Sequence, residues 1–222
     1  MELRVQRPSS AIRVVDLRFT YGEHPVVKVS ACHLGRGESM AVIGPSGCGK
    51  TTFLHLLAGL IRAGDGSIHI LGQDLAALHG SKLDRFRGQH IGLVFQRFHL
   101  LPALTVRENV LLAQRLARVP VNRERIRTLF QQLGLTGLED RKPAMLSQGQ
   151  AQRVAIARAL VHGPRLVMAD EPTSALDDRH AGQALALLQE SALAAGAALL
   201  VVTHDQRVRG HLDHEFEMGV AS

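Results

Sequence analysis

The stretch Gly44–Thr51, "GPSGCGKT", decides the reading of this chain. It follows the apolar run "SMAVI" and precedes "TTFLHLLAGL", whose leucines recur at helical spacing. A strand that breaks into a Gly-rich loop and then opens a helix has the layout of a phosphate cradle. Gly44, Gly47 and Gly49 let consecutive amides turn toward phosphate oxygens, Lys50 brings a charge for the β and γ groups, and Thr51 offers its hydroxyl to Mg2+. Pro45, Ser46, Cys48 and Thr52 complete the segment expected to line the nucleotide. A plain Gly-rich turn leaves the lysine unexplained, so the expected ligand is a nucleoside triphosphate. Cys48 lies near the helix N-terminus and Lys50, which both favour a thiolate; the sequence predicts that a small thiol reagent inactivates the protein and that Mg-ATP protects it.

Outward from the cradle, short β-branched runs alternate with helical patterns: "IRVVDLRF", "SMAVIGPS", "GSIHILG", "HIGLVFQ", "RLVMADE" and "ALLVVTHD". Ala41–Ile43 and Leu166–Ala169 are continuously apolar, as strands buried on both faces of a parallel sheet are. Ligands of such sheets collect beyond the carboxyl ends of the strands, and the reactive side chains fall there. "RLVMADE" delivers Asp170 and Glu171, which need not point the same way; Asp170 suits a magnesium ligand and Glu171 suits orienting an attacking water. Gln96 in "VFQRF", His204 in "VVTHD" and Asp177 in "SALDD" also stand where strands run out. With 12 histidines in the chain, His204 is singled out by position and not by type.

From Arg97 to Val161 helical periodicity dominates, in "VRENVLLAQRLARV" and "RERIRTLFQQLGL", and we read an α-helical subdomain inserted at 97–161 into a core formed by 1–96 and 162–222. Within it, "LSQGQ" (146–150) precedes the regular helix "AQRVAIARAL". Ser147 followed by Gln150 predicts a capping box: the serine oxygen takes an orphan amide and the glutamine reaches back. Such a start is a natural anion site.

Bulk composition narrows the class further. The 222 residues suffice for one large domain or two closely packed subdomains. A hydrophobic fraction of 45% describes a folded chain. The formal charge of +6 suits nucleic acid or an acidic membrane surface, but the arginines are scattered, which favours a generally basic surface. Two cysteines make neither a disulfide framework nor a zinc site and fit a reducing cytosol. The start "MELRVQRPSS" lacks an apolar signal core, and the longest apolar run, "ALAAGAALLVV", is well below the about 20 residues a membrane span needs; no signal peptide or transmembrane segment is expected.

The order of these motifs resembles the nucleotide-binding subunits of ATP-binding cassette (ABC) transporters over essentially the whole chain. "FTYG" resembles the aromatic loop, "GPSGCGKT" Walker A, "VFQRF" the Q-loop, "LSQGQ" the signature, "RLVMADE" Walker B, "SALD" the D-loop and "VVTHD" the switch histidine. The resemblance implies an α/β fold: a RecA-like P-loop NTPase core, an inserted helical subdomain and an N-terminal antiparallel β region. It implies ATP and Mg2+ as ligands and ATP hydrolysis coupled to transport. Two copies would sandwich two nucleotides head to tail, with Ser147, Gly149 and Gln150 capping the phosphate in trans and Asp177 at the seam. Tyr21 would stack on adenine, Gln96 would touch magnesium and water, Asp170 would hold magnesium, and Glu171 and His204 would position the attacking water. The chain would sit peripherally on the cytoplasmic face of the inner membrane, on integral permease subunits.

One residue departs from the family pattern: Gln148 stands where the signature usually has glycine. As the first helical residue its side chain can point away while Gly149 keeps the close approach, so activity is expected to survive. "IGLVFQRFHLLPALTVRENV" is similar to the MacB and LolD-like branch, which serves macrolide efflux and lipoprotein release, although "TSALD" replaces the "TGNLD" frequent there. Amino-acid and metal importers share much of the pattern and remain the alternative. "EDRKPAM" before the signature argues against exporters fused to membrane helices. A DNA-repair or ribosome-acting ABC ATPase would suit the positive charge, but the former needs a coiled coil or zinc modules between its motifs and the latter two cassettes. No nucleic-acid partner is expected.

Overall fold

The computed structural model describes residues 10–173 and 178–221, without the side chains of 178–180. Two sheets organise it. β1 (Ser10–Tyr21), β2 (His24–Gly35), β4 (Asp65–Ile70) and β5 (Gln73–Asp74) form an antiparallel sheet in the order β2-β1-β4-β5. β3 (Ser39–Ile43), β6 (Ile91–Val94), β7 (Leu166–Asp170), β8 (Ala198–Thr203) and β9 (His214–Glu217) form a parallel sheet in the order β6-β7-β8-β3-β9. The six runs expected as strands are all strands. β2, β5 and β9 are additions: β2 opens on His24 and Pro25 and its alternation at Val27–Ser30 slips by one at the exposed Ala31, and β9, "HEFE", is a short charged strand at the sheet edge.

The parallel sheet is covered on both sides, which is why its central strands are apolar throughout. Met40 and Val42 of β3, Met168 of β7 and Leu200 and Val202 of β8 enter a core shared with α1 (Lys50–Leu57) and the antiparallel sheet. The alternate residues Ala41, Ile43, Val167, Ala169, Leu199 and Val201 enter a second core with α3 (Val106–Leu116), α4 (Arg123–Gln132), α5 (Gln148–Leu160) and α6 (Asp178–Ala194). Period-two alternation thus feeds both cores from one strand, and each fully buried Val, Leu or Ile contributes about 1.5–3 kcal/mol.

Among the described residues, 97–161 hold α3, α4, a 3-10 turn at Pro143–Met145, α5 and no strand. α2 (Ser81–His90) precedes β6. α3 and α5 start with the same device. Thr105 accepts from the Glu108 amide at 3.2 Å while the Glu108 carboxylate accepts from the Thr105 amide at 2.8 Å. Ser147 accepts from the Gln150 amide at 3.2 Å and Gln150 Oε1 accepts from the Ser147 amide at 3.0 Å, the capping box expected from sequence. No described helix is long and apolar enough to cross a membrane.

Candidate active site

The parallel order brings four strand ends to one edge of the sheet. β3 runs into the Gly-rich loop, β6 ends two residues before Gln96, β7 ends in Asp170 and β8 ends just before His204. Register pairs Ile43 with Thr203, Val202 with Asp170 and Ala169 with Val94, so residues distant in sequence become neighbours.

The loop is built for close approach of backbone to a ligand. Gly49, at φ +94°, caps α1, and a Cβ there would lie 2.2 Å from the Val26 carbonyl oxygen; at Gly44 it would lie 2.3 Å from that of Met218. Only glycine fits either place. The Gly49 contact also sets the β1–β2 hairpin against the loop. Lys50, 5% exposed, donates from Nζ to the Gly44 and Pro45 carbonyls at 2.9 Å each. An ammonium has three donors, so one remains for a ligand.

The two carboxylates take separate partners. Asp170 Oδ1 accepts from the Thr51 hydroxyl at 3.0 Å. Burial pushes the Asp170 carboxyl up from its ordinary value, the Thr51 bond opposes that, and the charge of Glu171 adds to the rise. Glu171 turns to β8: Oε2 accepts from the Thr203 hydroxyl at 2.9 Å, and Oε1 accepts from the His204 amide at 3.1 Å and from His204 Nδ1 at 2.7 Å. An ionised carboxylate only accepts, so Nδ1 carries the proton in this pair. Glu171 has φ +47°, a left-handed backbone that takes its side chain out of the strand alternation.

Gln96 is exposed just beyond β6, and Tyr21, 53% exposed at the hairpin tip, stands edge-on to Phe19 with ring centroids 4.9 Å apart. Ser147, Gly149 and Gln150 open α5, with Ser147 and Gly149 exposed and open space where a Gly149 Cβ would project. Asp177 lies outside the described residues.

Sequence reasoning missed five side chains that shape this edge. Gln152, buried on α5, donates to the Pro172 carbonyl at 2.9 Å and ties the capped helix to the loop after Glu171. Thr173 donates to Asp205 Oδ2 at 2.9 Å, and Arg207 hydrogen bonds hold the Asp205 carboxyl at about 2. Thr203 is the fifth. The available signal was a threonine closing or following an otherwise apolar run.

One expectation is corrected. Cys48 is not a reachable thiol: it is 1% exposed, and its Sγ lies beneath Gly44 so closely that a Cβ there would come within 2.7 Å of it. The bulk of the loop shields it from reagents, whatever the helix N-terminus does for a thiolate. Cys32 is buried as well, and burial pushes its thiol up to about 11. The native chain is therefore expected to release almost no thionitrobenzoate from Ellman's reagent at neutral pH within minutes, and both thiols are expected to react after unfolding. Rapid stoichiometric labelling of Cys48 in the folded chain would contradict its burial.

A parallel sheet with a phosphate cradle after its β3 strand, an Asp hydrogen bonded to the cradle threonine and a Glu beside it defines a P-loop nucleoside triphosphatase. Comparison with known proteins specifies which kind. A sequence profile of the family described as "ABC transporter" matches residues 27–174. The chain is 45% identical over 197 residues to the lipoprotein-releasing system ATP-binding protein LolD of Anaeromyxobacter dehalogenans, covering 87% of this chain and 82% of that protein. It is 40% identical over 205 residues to the macrolide export ATP-binding/permease protein MacB of Chromobacterium violaceum, spanning 90% of this chain but only 32% of that longer protein. The dimeric ATP-binding cassette MJ0796, in a post-hydrolysis state bound to ADP and Pi, superposes with a TM-score of 0.82 at 31% identity, over 95% of this chain and 97% of that one. The chain belongs to the ABC transporter family, and its fold is that of an ATP-binding cassette.

Proposed function

We propose that this chain is the ATP-hydrolysing subunit that energises a separate membrane permease of the lipoprotein-release or macrolide-export type, and that it works as a head-to-tail pair of copies. The observation that carries this reading is a division within one chain. The cradle and Glu171 meet at the sheet edge, whereas the capped start of α5 presents Ser147 and Gly149 outward with open space above them.

In this reading the loop amides of Gly44–Thr52 and Lys50 hold the phosphates, and Tyr21 stacks on adenine. Thr51, Asp170 and Gln96 would hold Mg2+. Their oxygen donors are the hard ligands that ion takes. When bound, the ion would neutralise phosphate charge. Glu171 orients a water and accepts its proton, and His204 contacts the γ-phosphate. Ser147, Gly149 and Gln150 of the second copy close over that phosphate, with Asp177 at the seam. A groove of about 560 Å³ lined by Phe95, His99, Leu101, Leu116 and Arg158 adjoins Gln96, and we place the permease contact there, on the cytoplasmic side of the membrane.

Hydrolysis by the full chain is expected to rise more steeply than linearly with its concentration, and to cease when EDTA removes Mg2+. Specific activity that stays constant on dilution to a demonstrably single chain would overturn the paired mechanism.

A further inference from the structure

We propose that Thr203 is a positioning residue for hydrolysis: its buried hydroxyl holds the Glu171 carboxylate in its working direction while His204 is left free to exchange partners. The inference rests on the reading of Glu171 as the group that orients water.

β8 reads "ALLVVT", and all of its side chains are buried. At the last position, 0% exposed, valine would satisfy strand preference and packing at least as well. A hydroxyl placed there costs free energy unless it is bonded. Thr203 has two bonds. Its oxygen accepts from the Asp205 amide at 3.0 Å and its hydroxyl donates to Glu171 Oε2 at 2.9 Å. Because an amide can only donate, the single hydroxyl proton has no role toward Asp205 and is directed to the carboxylate. The backbone thereby fixes which way the hydroxyl points.

Asp205 is itself fixed, by Thr173 on one side and Arg207 on the other. The Glu171 amide donates to the Val202 carbonyl at 2.8 Å, which seats its left-handed backbone on the same strand end. The carboxylate is therefore held at the end of β8 by the Thr203 hydroxyl, the His204 amide and the His204 ring. Its Oε1 meets His204, whose side chain is 48% exposed. Its Oε2 meets Thr203, which no nucleotide can touch. When the His204 ring turns to a γ-phosphate, the backbone amide of His204 and the Thr203 hydroxyl stay on the carboxylate, and the Thr203 bond is the side-chain one of the two.

The test uses the full chain and four variants: Thr203→Val, which keeps shape and removes the donor, Thr203→Ser, which keeps the donor, Glu171→Gln, and Thr203→Val combined with Glu171→Gln. Thr203→Val is expected to lower kcat about 10- to 100-fold, the scale of a lost hydrogen bond to a charged group that leaves a reacting group misplaced, with KM for ATP within about twofold. Thr203→Ser is expected to recover kcat to within about threefold of the parent, since the donor is restored. In the Glu171→Gln background the valine is expected to change the single-turnover rate by less than about twofold, because the two residues act as one unit. Parental kcat in Thr203→Val, a serine variant as slow as the valine one, or a full additional loss in the double variant would each overturn the proposal. If Thr203→Val does not fold, Thr203→Cys, a weak donor, is expected to show the same loss confined to kcat, and parental kcat there overturns the proposal equally. Parental activity in Glu171→Gln would remove the reading of Glu171 itself. An inactive Glu171→Gln beside an unimpaired Thr203→Val would remove only the role of Thr203.

Discussion

Glu171→Gln is expected to lower ATP hydrolysis by about 100- to 10,000-fold, the range a general base supplies, and to leave ATP binding intact. The substitution keeps shape and removes charge, so the nucleotide cradle proposed at Gly44–Thr52 is not expected to be disturbed. Locally it exchanges a two-oxygen acceptor for one oxygen and one NH2. The oxygen can serve the His204 amide, which only donates, and the NH2 then faces the Thr203 oxygen. One bond weakens and the fold survives. With binding retained and turnover removed, the ATP-loaded pair accumulates, and light scattering should find a dimer with Mg-ATP and a monomer without it. A variant that remains monomeric with ATP, or that hydrolyses at the parental rate, would show that Glu171 is not the base.

The second large effect separates activity from stability. Gly149→Asp is expected to reduce hydrolysis at least about 100-fold, comparable to the loss of an oxyanion donor, while the isolated chain becomes no less stable. Gly149 is the second helical residue of α5, and a Cβ there meets nothing within 4 Å. An acidic residue in the first turn of a helix interacts favourably with its dipole, by about 0.3–1 kcal/mol. Inside one chain the substitution is thus neutral or stabilising. Against a phosphate brought by a second copy it places a negative charge and a side chain where the amide must approach. Equal thermal midpoints with lost activity and lost ATP-dependent dimerisation are the expected combination. Undiminished activity would mean that the α5 start does not face nucleotide in the working assembly. Gln148→Gly, by contrast, is expected to leave the rate within an order of magnitude; a hundredfold gain would show that the glutamine obstructs the site.

Much of the local architecture was legible in the residues. The apolar runs of β3 and β7 announce strands covered on both faces, Ser147 and Gln150 announce their capping box, and the cradle identifies itself through glycines, Lys50 and Thr51. β9 was not legible, because four residues with exposed charges carry no periodic signal, and it exists only as the parallel neighbour of β3. β2 was missed for a related reason: its alternation begins only after Pro25 and slips at Ala31, and pairing with β1 carries the strand across both.

The sequence by itself determined what depends on neighbours along the chain: a phosphate-binding turn, helix starts and the face each strand residue takes, since these follow from backbone dihedrals and side-chain periodicity within a few residues. Only the tertiary structure decided what Asp170 and Glu171 do with their carboxylates and that Cys48 is shut away. Asp170 reaches Thr51 across 119 positions and Glu171 reaches Thr203 across 32, contacts created by the order β6-β7-β8-β3-β9. Strand order is a property of how two cores close around the sheet, and no local pattern in a strand states which strand lies beside it.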